Sequence, residues 1–288
     1  MLERRGGLRP WLYTGPALLM LAFFLVYPSL ATLRLSFLDR TSDAFVGLEN
    51  YRFAFSSPPM LESFKNNLLW LIFFTTITVS GGLVIAVLVD KVKYESIAKA
   101  LIFLPQAISF VGAGVIWRFV YEFRPRVGLL NTVLTALFPG MQPIGWLVNS
   151  RFATYALIVV GIWMWTGYAL IIFSAAIKGI PQEIEEAARV DGASAWRMFW
   201  QITVPMISTT IAVVTTTLII SVLKVFDLVY VMTAGQYSTN VIANQMYYEL
   251  YINRHNGRAA AIAIVLVIAI IPVMILNIRR FQEQEARR

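Results

Sequence analysis

Six stretches of the chain are predominantly apolar and carry no charged side chain over 18 residues or more. A helix of roughly 20 apolar residues is long enough to cross the ~30 Å hydrocarbon core of a bilayer. Apolar residues lie all round each stretch, which favours membrane-spanning helices over amphipathic surface helices. The predicted fold class is therefore an all-α membrane protein with six transmembrane helices. The six stretches are Trp11–Leu33, Asn66–Val89, Ala100–Trp117, Phe152–Ile177, Ile202–Leu223 and Ala259–Ile278.

The basic residues between these spans indicate their orientation. Of the 24 lysines and arginines, 13 lie in four segments that cover only 54 positions: 1–10, 90–99, 178–201 and 279–288. Lys and Arg are enriched in cytoplasmic loops, so both termini are predicted to be cytoplasmic. A cleaved signal peptide is the alternative for the first run. Its 23 residues are long for that role, and no small-x-small cleavage site clearly follows.

Composition narrows the class of protein further. The chain has 288 residues, 58% of them hydrophobic and 14% charged, and a mean hydropathy of +0.67. Soluble domains average about 25% charged residues, so an ordinary soluble enzyme and a disordered regulator are excluded. The absence of cysteine and the single histidine, His255, exclude disulfide scaffolds and Cys- or His-based metal clusters. Loops facing anionic lipid account for the net charge of +8 better than nucleic acid does.

Several kinds of chemistry are missing from the sequence. No Gly-Lys dipeptide occurs, so the chain has no P-loop and is not expected to hydrolyse ATP. The spans contain almost no ionisable residue, which disfavours an ion-coupled carrier. Lys224 and Asp227 come closest, at a spacing that would place them on one helical face. Two interpretations of this pair remain open: an interfacial pair whose side chains reach the headgroups, or charged groups at the mouth of a transport pathway.

The segment 178–205 has the pattern of a helix, a turn and a second helix. Pro181 suits a first helical position, and three glutamates would follow near the positive end of the helix dipole. Asp191-Gly192 predicts a turn, and Ser194 suits the cap of a second helix. The expected result is a short, acidic, alanine-faced helix that stands off the membrane.

This loop carries a recognisable signature. Glu186-Ala187-Ala188 is followed by Gly192 and then by Ile202-Thr203-Val204-Pro205, with the spacing of the loop motif of importer-type ABC permeases. Val204 stands where leucine is usual, a mild apolar change. The segments Phe45–Tyr51 and Phe226–Gly235 resemble the carbohydrate-uptake branch. The continuation through Gln236-Tyr237 to Asn244 is most similar to the α-glucoside permease subgroup, and the resemblance covers nearly the whole chain.

The resemblance implies a permease subunit in a bacterial cytoplasmic (inner) membrane that imports a sugar, such as the α-glucosides maltose or trehalose. It implies four kinds of partner besides membrane lipid: a second homologous permease, two ATPase subunits that bind ATP and Mg, a periplasmic or lipid-anchored sugar-binding protein, and the sugar. No cofactor is expected on this chain, and nucleic acid is not an expected partner. A polyol or glycerol phosphate is the alternative cargo, although phosphate would favour basic residues that the spans lack. A gradient-driven carrier is the remaining alternative.

The resemblance also assigns candidate residues and domains. The residues implied to couple the loop to the ATPase are Glu185, Glu186, Ala187, Ala188, Arg189, Asp191 and Gly192. The candidate residues of the substrate pathway are Gly161, Trp163, Trp165, Tyr168 and Ser221, in stretches that resemble the sugar site of the maltose-type permease, together with the charged residues Lys224 and Asp227. Packing between helices is the alternative role for the aromatic residues. The expected division is a cytoplasmic N-terminus (1–10), a first helix with an outer loop (11–65), a transmembrane domain (66–278) with its coupling loop (178–205), and a cytoplasmic tail (279–288).

Overall fold

The computed structural model describes residues 9–285, with side chains from Trp11 to Ile275. The expected N-terminal segment 1–10 and tail 279–288 lie outside the described residues, apart from backbone positions 9–10 and 279–285. The described part is helical and contains no sheet, which confirms the all-α class; its only bridge is the isolated pair Leu38–Phe45. The helices are α1 (Trp11–Leu35), α2 (Glu49–Ser56), α3 (Pro58–Val89), α4 (Glu95–Ala107), α5 (Phe110–Val120), α6 (Leu129–Leu137), α7 (Ala153–Lys178), α8 (Gln182–Val190), α9 (Ala195–Met206), α10 (Ser208–Leu223), α11 (Asp227–Thr233), α12 (Ile242–Tyr247) and α13 (Asn256–Glu285).

The predicted spans correspond to helices, but two of them are broken. Within the described residues, α1, α3, α7 and the first twenty residues of α13 are each long and apolar enough to cross a membrane. The α4–α5 pair bends by 100° and the α9–α10 pair by 70°. If each bent pair is one span, the total is six. The third and fifth predicted spans thus each consist of two helices that meet at a bend.

Both breaks have local causes. Pro105 and Pro205 lie within three residues of the breaks, and neither can donate a backbone hydrogen bond to the preceding turn. At the first break, the hydroxyl of Ser109 accepts a hydrogen bond from the backbone N–H of Gly112 at 3.0 Å and so begins α5 as a new helix. At the second break, Ile207 leaves the helical region with φ −97° and ψ 11°.

The described residues form two compact units. The first comprises residues 9–57 and 245–265. Its buried amide Asn50 donates to the carbonyls of Ser36 (2.9 Å) and Leu38 (2.7 Å) and so fixes the turn that follows α1. The carboxylate of Glu249 is also buried, and it accepts hydrogen bonds from the amides of Gln245 and Asn253.

The second unit comprises residues 58–244 and 266–285, and α7 lies at its centre. Helices α3, α4 and α10 pack on α7. Its largest fully buried side chains include Trp70, Leu170, Phe173 and Leu218. Asn67 ties α3 to two later segments, because its amide donates to the carbonyl of Val222 (3.2 Å) and accepts from the backbone N–H of Ile242 (2.9 Å). These contacts hold α3, α7 and α10 around a shared interior.

Candidate coupling loop and substrate cavity

Helix α8 is a short acidic helix, and every residue in it is exposed or half-buried. Apolar side chains of α8 are exposed as well, since 88% of the surface of Val190 is accessible to solvent. Two of its three glutamates have partners within the helix. Glu186 accepts a hydrogen bond from Gln182 at 2.7 Å, and Glu185 pairs with Arg189 at 3.5 Å. Such exposed pairs stabilise a helix only modestly, so α8 presents its acidic and alanine surface to the surroundings.

The turn after α8 is built on a left-handed residue. Gly192 has φ +74°, and its N–H donates to the carbonyl of Arg189 at 3.1 Å. The N–H of Ala193 donates to the carbonyl of Ala188 at 2.9 Å. Together these two bonds form a Schellman motif, which terminates a helix and reverses the chain. The predicted turn at Asp191-Gly192 is confirmed.

The second helix of the loop begins where the sequence indicates. The hydroxyl of Ser194 accepts a hydrogen bond from the N–H of Arg197 at 3.3 Å, which makes Ser194 the N-cap of α9. Pro181 differs from its predicted position. Its ψ of 131° is extended, so it precedes the helix as its cap and α8 begins at Gln182. Proline fixes φ but not ψ, so the residue is equally compatible with the cap.

All seven predicted coupling residues lie on this one segment. Five are within α8, Asp191 is its C-cap and Gly192 is the left-handed residue of the turn. Only three residues, 179–181, separate α8 from the end of α7. Helix α8 is therefore joined to α7 by a very short connection.

A cavity of about 220 Å³ lies beside α7, between α3, α5 and the junction of α10 with α11. Five of the seven predicted pathway residues line it: Gly161, Trp165, Ser221, Lys224 and Asp227. Its other walls are mostly aromatic and aliphatic, and the residues are Trp70, Phe74, Phe110, Val222, Val225, Phe226 and Leu228. One cation, one anion and one hydroxyl on an otherwise apolar and aromatic surface suit a neutral polar ligand.

The other two predicted pathway residues do not line this cavity. The ring of Trp163 packs against Trp117 of α5, with the ring centres 5.5 Å apart. Tyr168 lies edge-on against Trp165 at 5.5 Å and so supports a residue that does line the cavity. Trp165 and Tyr168 therefore lie on a common face of α7.

Lys224 and Asp227 do not form the ion pair that their spacing allows. Helix α10 ends at Leu223, and α11 begins at Asp227, so the two residues do not share a continuous helix. Among the described residues, no ion pair joins them, and both side chains line the cavity. Because the helix breaks between them, Lys224 and Asp227 line the cavity as two separate charged groups.

Trp70, Phe74 and Phe110 also line the cavity, although none of them was among the predicted pathway residues. Trp70 and Phe74 bound a π-helical turn inside α3, and such turns are frequent at functional sites. Trp70 approaches α7 at Gly161, where an added methyl group would lie 2.7 Å from its ring. Periodicity along a uniformly apolar helix does not reveal a π turn, although the aromatic pair four residues apart was a visible signal.

The comparison with known families decides the identity. A profile described as the inner membrane component of binding-protein-dependent transport systems matches residues 11–287. The chain belongs to this family. It is therefore a multi-pass inner-membrane permease subunit of an ABC importer; it is non-catalytic, and the ATPase of such a transporter is a separate subunit.

Two named permeases are similar in sequence to this chain. The chain is 55% identical over 281 residues to the osmoprotective compounds uptake permease protein GgtC of Synechocystis sp., a match that covers 96% of this chain and 100% of the relative. It is 46% identical over 278 residues to the alpha-glucoside transport system permease protein AglF of Rhizobium meliloti, covering 95% and 82%.

A solved structure shows the same fold. A chain of a bacterial ABC transporter that imports the acidic polysaccharide alginate superposes with a TM-score of 0.82, over 95% of this chain and 96% of that chain. The two are 24% identical in sequence, so the likeness establishes the fold of the permease.

Proposed function

We propose that this chain is one of two permease subunits of an ATP-driven sugar importer, and that its cargo is a neutral glycoside of the α-glucoside class. The observation that carries the proposal is the exposed helix α8, which is joined by three residues to the helix that supplies Gly161 and Trp165 to the cavity. In this proposal α8 docks on an ATPase subunit at the cytoplasmic face, and both chain termini lie on that side. ATP and Mg bind to the ATPase subunits.

The cavity supports a neutral cargo. Phe110 and Trp165 offer apolar faces to a sugar ring, with Trp70 packed behind them. The hydroxyl of Ser221 donates to the carbonyl of Thr217 at 3.0 Å and can still accept a hydrogen bond from a sugar. Lys224 and Asp227 contribute opposite charges, which leaves no net charge to attract a phosphate. The relative AglF is named for α-glucosides, in agreement with this chemistry. The name of GgtC refers to osmoprotective compounds, which keeps another small polar solute as a second candidate.

The cavity size supports a second permease subunit. About 220 Å³ is below the roughly 300–1,000 Å³ of pockets that enclose small-molecule ligands. A second, homologous permease facing this wall would complete the enclosure. A sugar-binding protein on the opposite side of the membrane from the ATPase would deliver the cargo.

The test is sugar uptake by the complete transporter, reconstituted in liposomes with its ATPase and its binding protein. Glu186→Lys reverses a charge on α8, and Gly192→Asp adds a charged side chain at the exposed turn that ends α8. Both variants should assemble in the membrane but lose at least tenfold of ATP-driven uptake. Asp43→Lys, a charge reversal at an exposed residue far along the chain from α8, is the matched control and should transport normally.

The same assay identifies the cargo class. Unlabelled maltose and trehalose should compete with labelled glucoside uptake, whereas glycerol 3-phosphate should not. Normal uptake in both α8 variants would refute the docking role. Uptake of glycerol 3-phosphate or a polyol in preference to the glucosides would refute the cargo assignment.

A further inference from the structure

Four charged side chains converge where three helices end on the side of α8. Asp90 caps the C-terminus of α3, Glu95 begins α4, Lys99 lies one turn further along α4, and Lys178 ends α7. The Nζ of Lys99 lies 2.6 Å from the carboxylate of Asp90 and also contacts Glu95. Glu95 in turn pairs with Lys178. We call these four residues, together with Ser174 of α7, the helix-end cluster.

Ser174 connects the cluster to α7 a second time. Its hydroxyl donates to the Asp90 carboxylate at 2.7 Å and accepts from Lys99. A lysine ammonium has three N–H donors, and those of Lys99 face Asp90, Glu95 and Ser174. Lys99 is therefore the common point through which α3, α4 and α7 are joined.

The cluster is largely shielded from solvent at its centre. The side chains of Lys99 and Asp90 are each 13% exposed, whereas that of Lys178 is 53% exposed. Ion pairs at this burial are screened less than surface pairs. The two carboxylates balance the two ammonium groups, so removing one partner leaves an uncompensated charge. Asp90 would also face the negative end of α3 without its cation.

Close packing joins the same three helices further from the cluster. A methyl group added at Gly82 of α3 would lie 2.5 Å from the Cβ of Ala169 in α7. One added at Gly167 would lie 2.5 Å from the carbonyl oxygen of Ile102 in α4. The glycines let the backbones of α3, α4 and α7 approach closely. The helix-end cluster joins the same three helices at their ends.

We propose that the helix-end cluster is the joint that transmits the displacement of α8 to α3 and α4, with Lys99 and Asp90 as positioning residues for ATP-driven transport. This inference rests on the proposed function, because it assumes that α8 is displaced by an ATPase. Lys178 lies four residues before the start of α8, so a displacement of α8 reaches the helix-end cluster over a short stretch of chain. Helices α3 and α7 then carry it to Trp70 and Trp165 in the cavity.

The experiment measures the coupling of transport to ATP hydrolysis in the complete reconstituted transporter. Lys99→Met keeps the length of the side chain and removes its charge. It should lower the sugar molecules transported per ATP hydrolysed at least tenfold, at an unchanged amount of assembled complex. Lys91→Met removes an exposed lysine of the same segment and should leave this ratio unchanged. Lys99→Arg retains the charge and should restore most of the coupling.

A second variant separates coupling from folding. The double substitution Asp90→Asn with Lys99→Met removes one charge of each sign, so the pair Glu95–Lys178 remains balanced. The double variant should assemble like the wild type and remain uncoupled. The proposal would be overturned if Lys99→Met or the double variant transported as many sugar molecules per ATP as the wild type. It would also be overturned if neither of these two variants assembled. The wild-type complex is the reference: if it shows no ATP-driven uptake, the proposed function fails and not merely the joint.

Discussion

At the scale of single residues, Gly192 and Ser194 set the backbone of the loop around α8, and Lys99 joins three helices. The turn at Gly192 follows from Asp191-Gly192, because a left-handed residue after a helix is most often glycine. Local chemistry also identified the cap at Ser194. The partners of Lys99 were not predictable, since Asp90 and Ser174 lie 9 and 75 positions away along the chain. A lysine counted only as a loop charge is thus a largely shielded connection between helices.

The left-handed turn leads to a residue-level prediction. A methyl group at Gly192 meets nothing within 4 Å, so any cost of substitution comes from its φ of +74°. Gly192→Ala should destabilise the turn by about 1–2 kcal/mol. The amide of Ala193, which bonds Ala188, should then exchange its hydrogen about tenfold faster or more.

The matched variant is Gly192→Asn, because asparagine tolerates the left-handed region better than alanine. Its exchange rate at Ala193 should lie closer to that of the wild type. Equal rates in the two variants would show that φ does not set the stability of this turn.

At the scale of elements, hydropathy located the spans but not their breaks. Composition measures how apolar a window is, and the windows around Ser109 and Ile207 are as apolar as an unbroken helix would be. The breaks depend on a serine cap and on prolines, signals that were present but compatible with a bent continuous helix. The division between α10 and α11 matters most, because it separates Lys224 from Asp227 and places both at the cavity.

Helix packing supplies a prediction at this scale. Gly81 and Gly82 are neighbours in α3, but only Gly82 faces α7. A methyl group at Gly82 would lie 2.5 Å from the Cβ of Ala169, whereas one at Gly81 meets nothing within 4 Å. Gly82→Ala should destabilise the protein by about 1–3 kcal/mol through overpacking. Gly81→Ala should be neutral or stabilising by up to ~1 kcal/mol.

The measurement is the thermal unfolding midpoint of each purified variant in detergent, followed by circular dichroism. The midpoint should fall for Gly82→Ala and should be unchanged or higher for Gly81→Ala. A similar fall in both would mean that the close approach of α3 to α7 does not decide the effect.

At the scale of the whole molecule, the sequence predicted the class of the protein and the structure showed which helices pack together. The loop signature needs only the order of residues in one segment, so the family was predictable from it. The cavity needs α3, α5, α7 and α10 at once, and no local pattern reports their arrangement. Two of the seven predicted pathway residues, Trp163 and Tyr168, therefore fell beside the cavity rather than in it.

That arrangement leads to a graded prediction for the aromatic residues of α7. Trp165 lines the cavity, Tyr168 supports its ring from outside, and Trp163 packs on Trp117. At saturating sugar-loaded binding protein, Trp165→Ala should lower the uptake rate per assembled complex about tenfold, a loss of ~1.4 kcal/mol, because it removes an apolar face from the pathway. Tyr168→Ala should lower it less, and Trp163→Ala should leave it near the wild-type rate while reducing thermal stability. Stimulation of the ATPase should persist in all three variants, since none alters the helix-end cluster. Equal uptake in the Trp165 and Trp163 variants would remove this cavity from the path of the sugar.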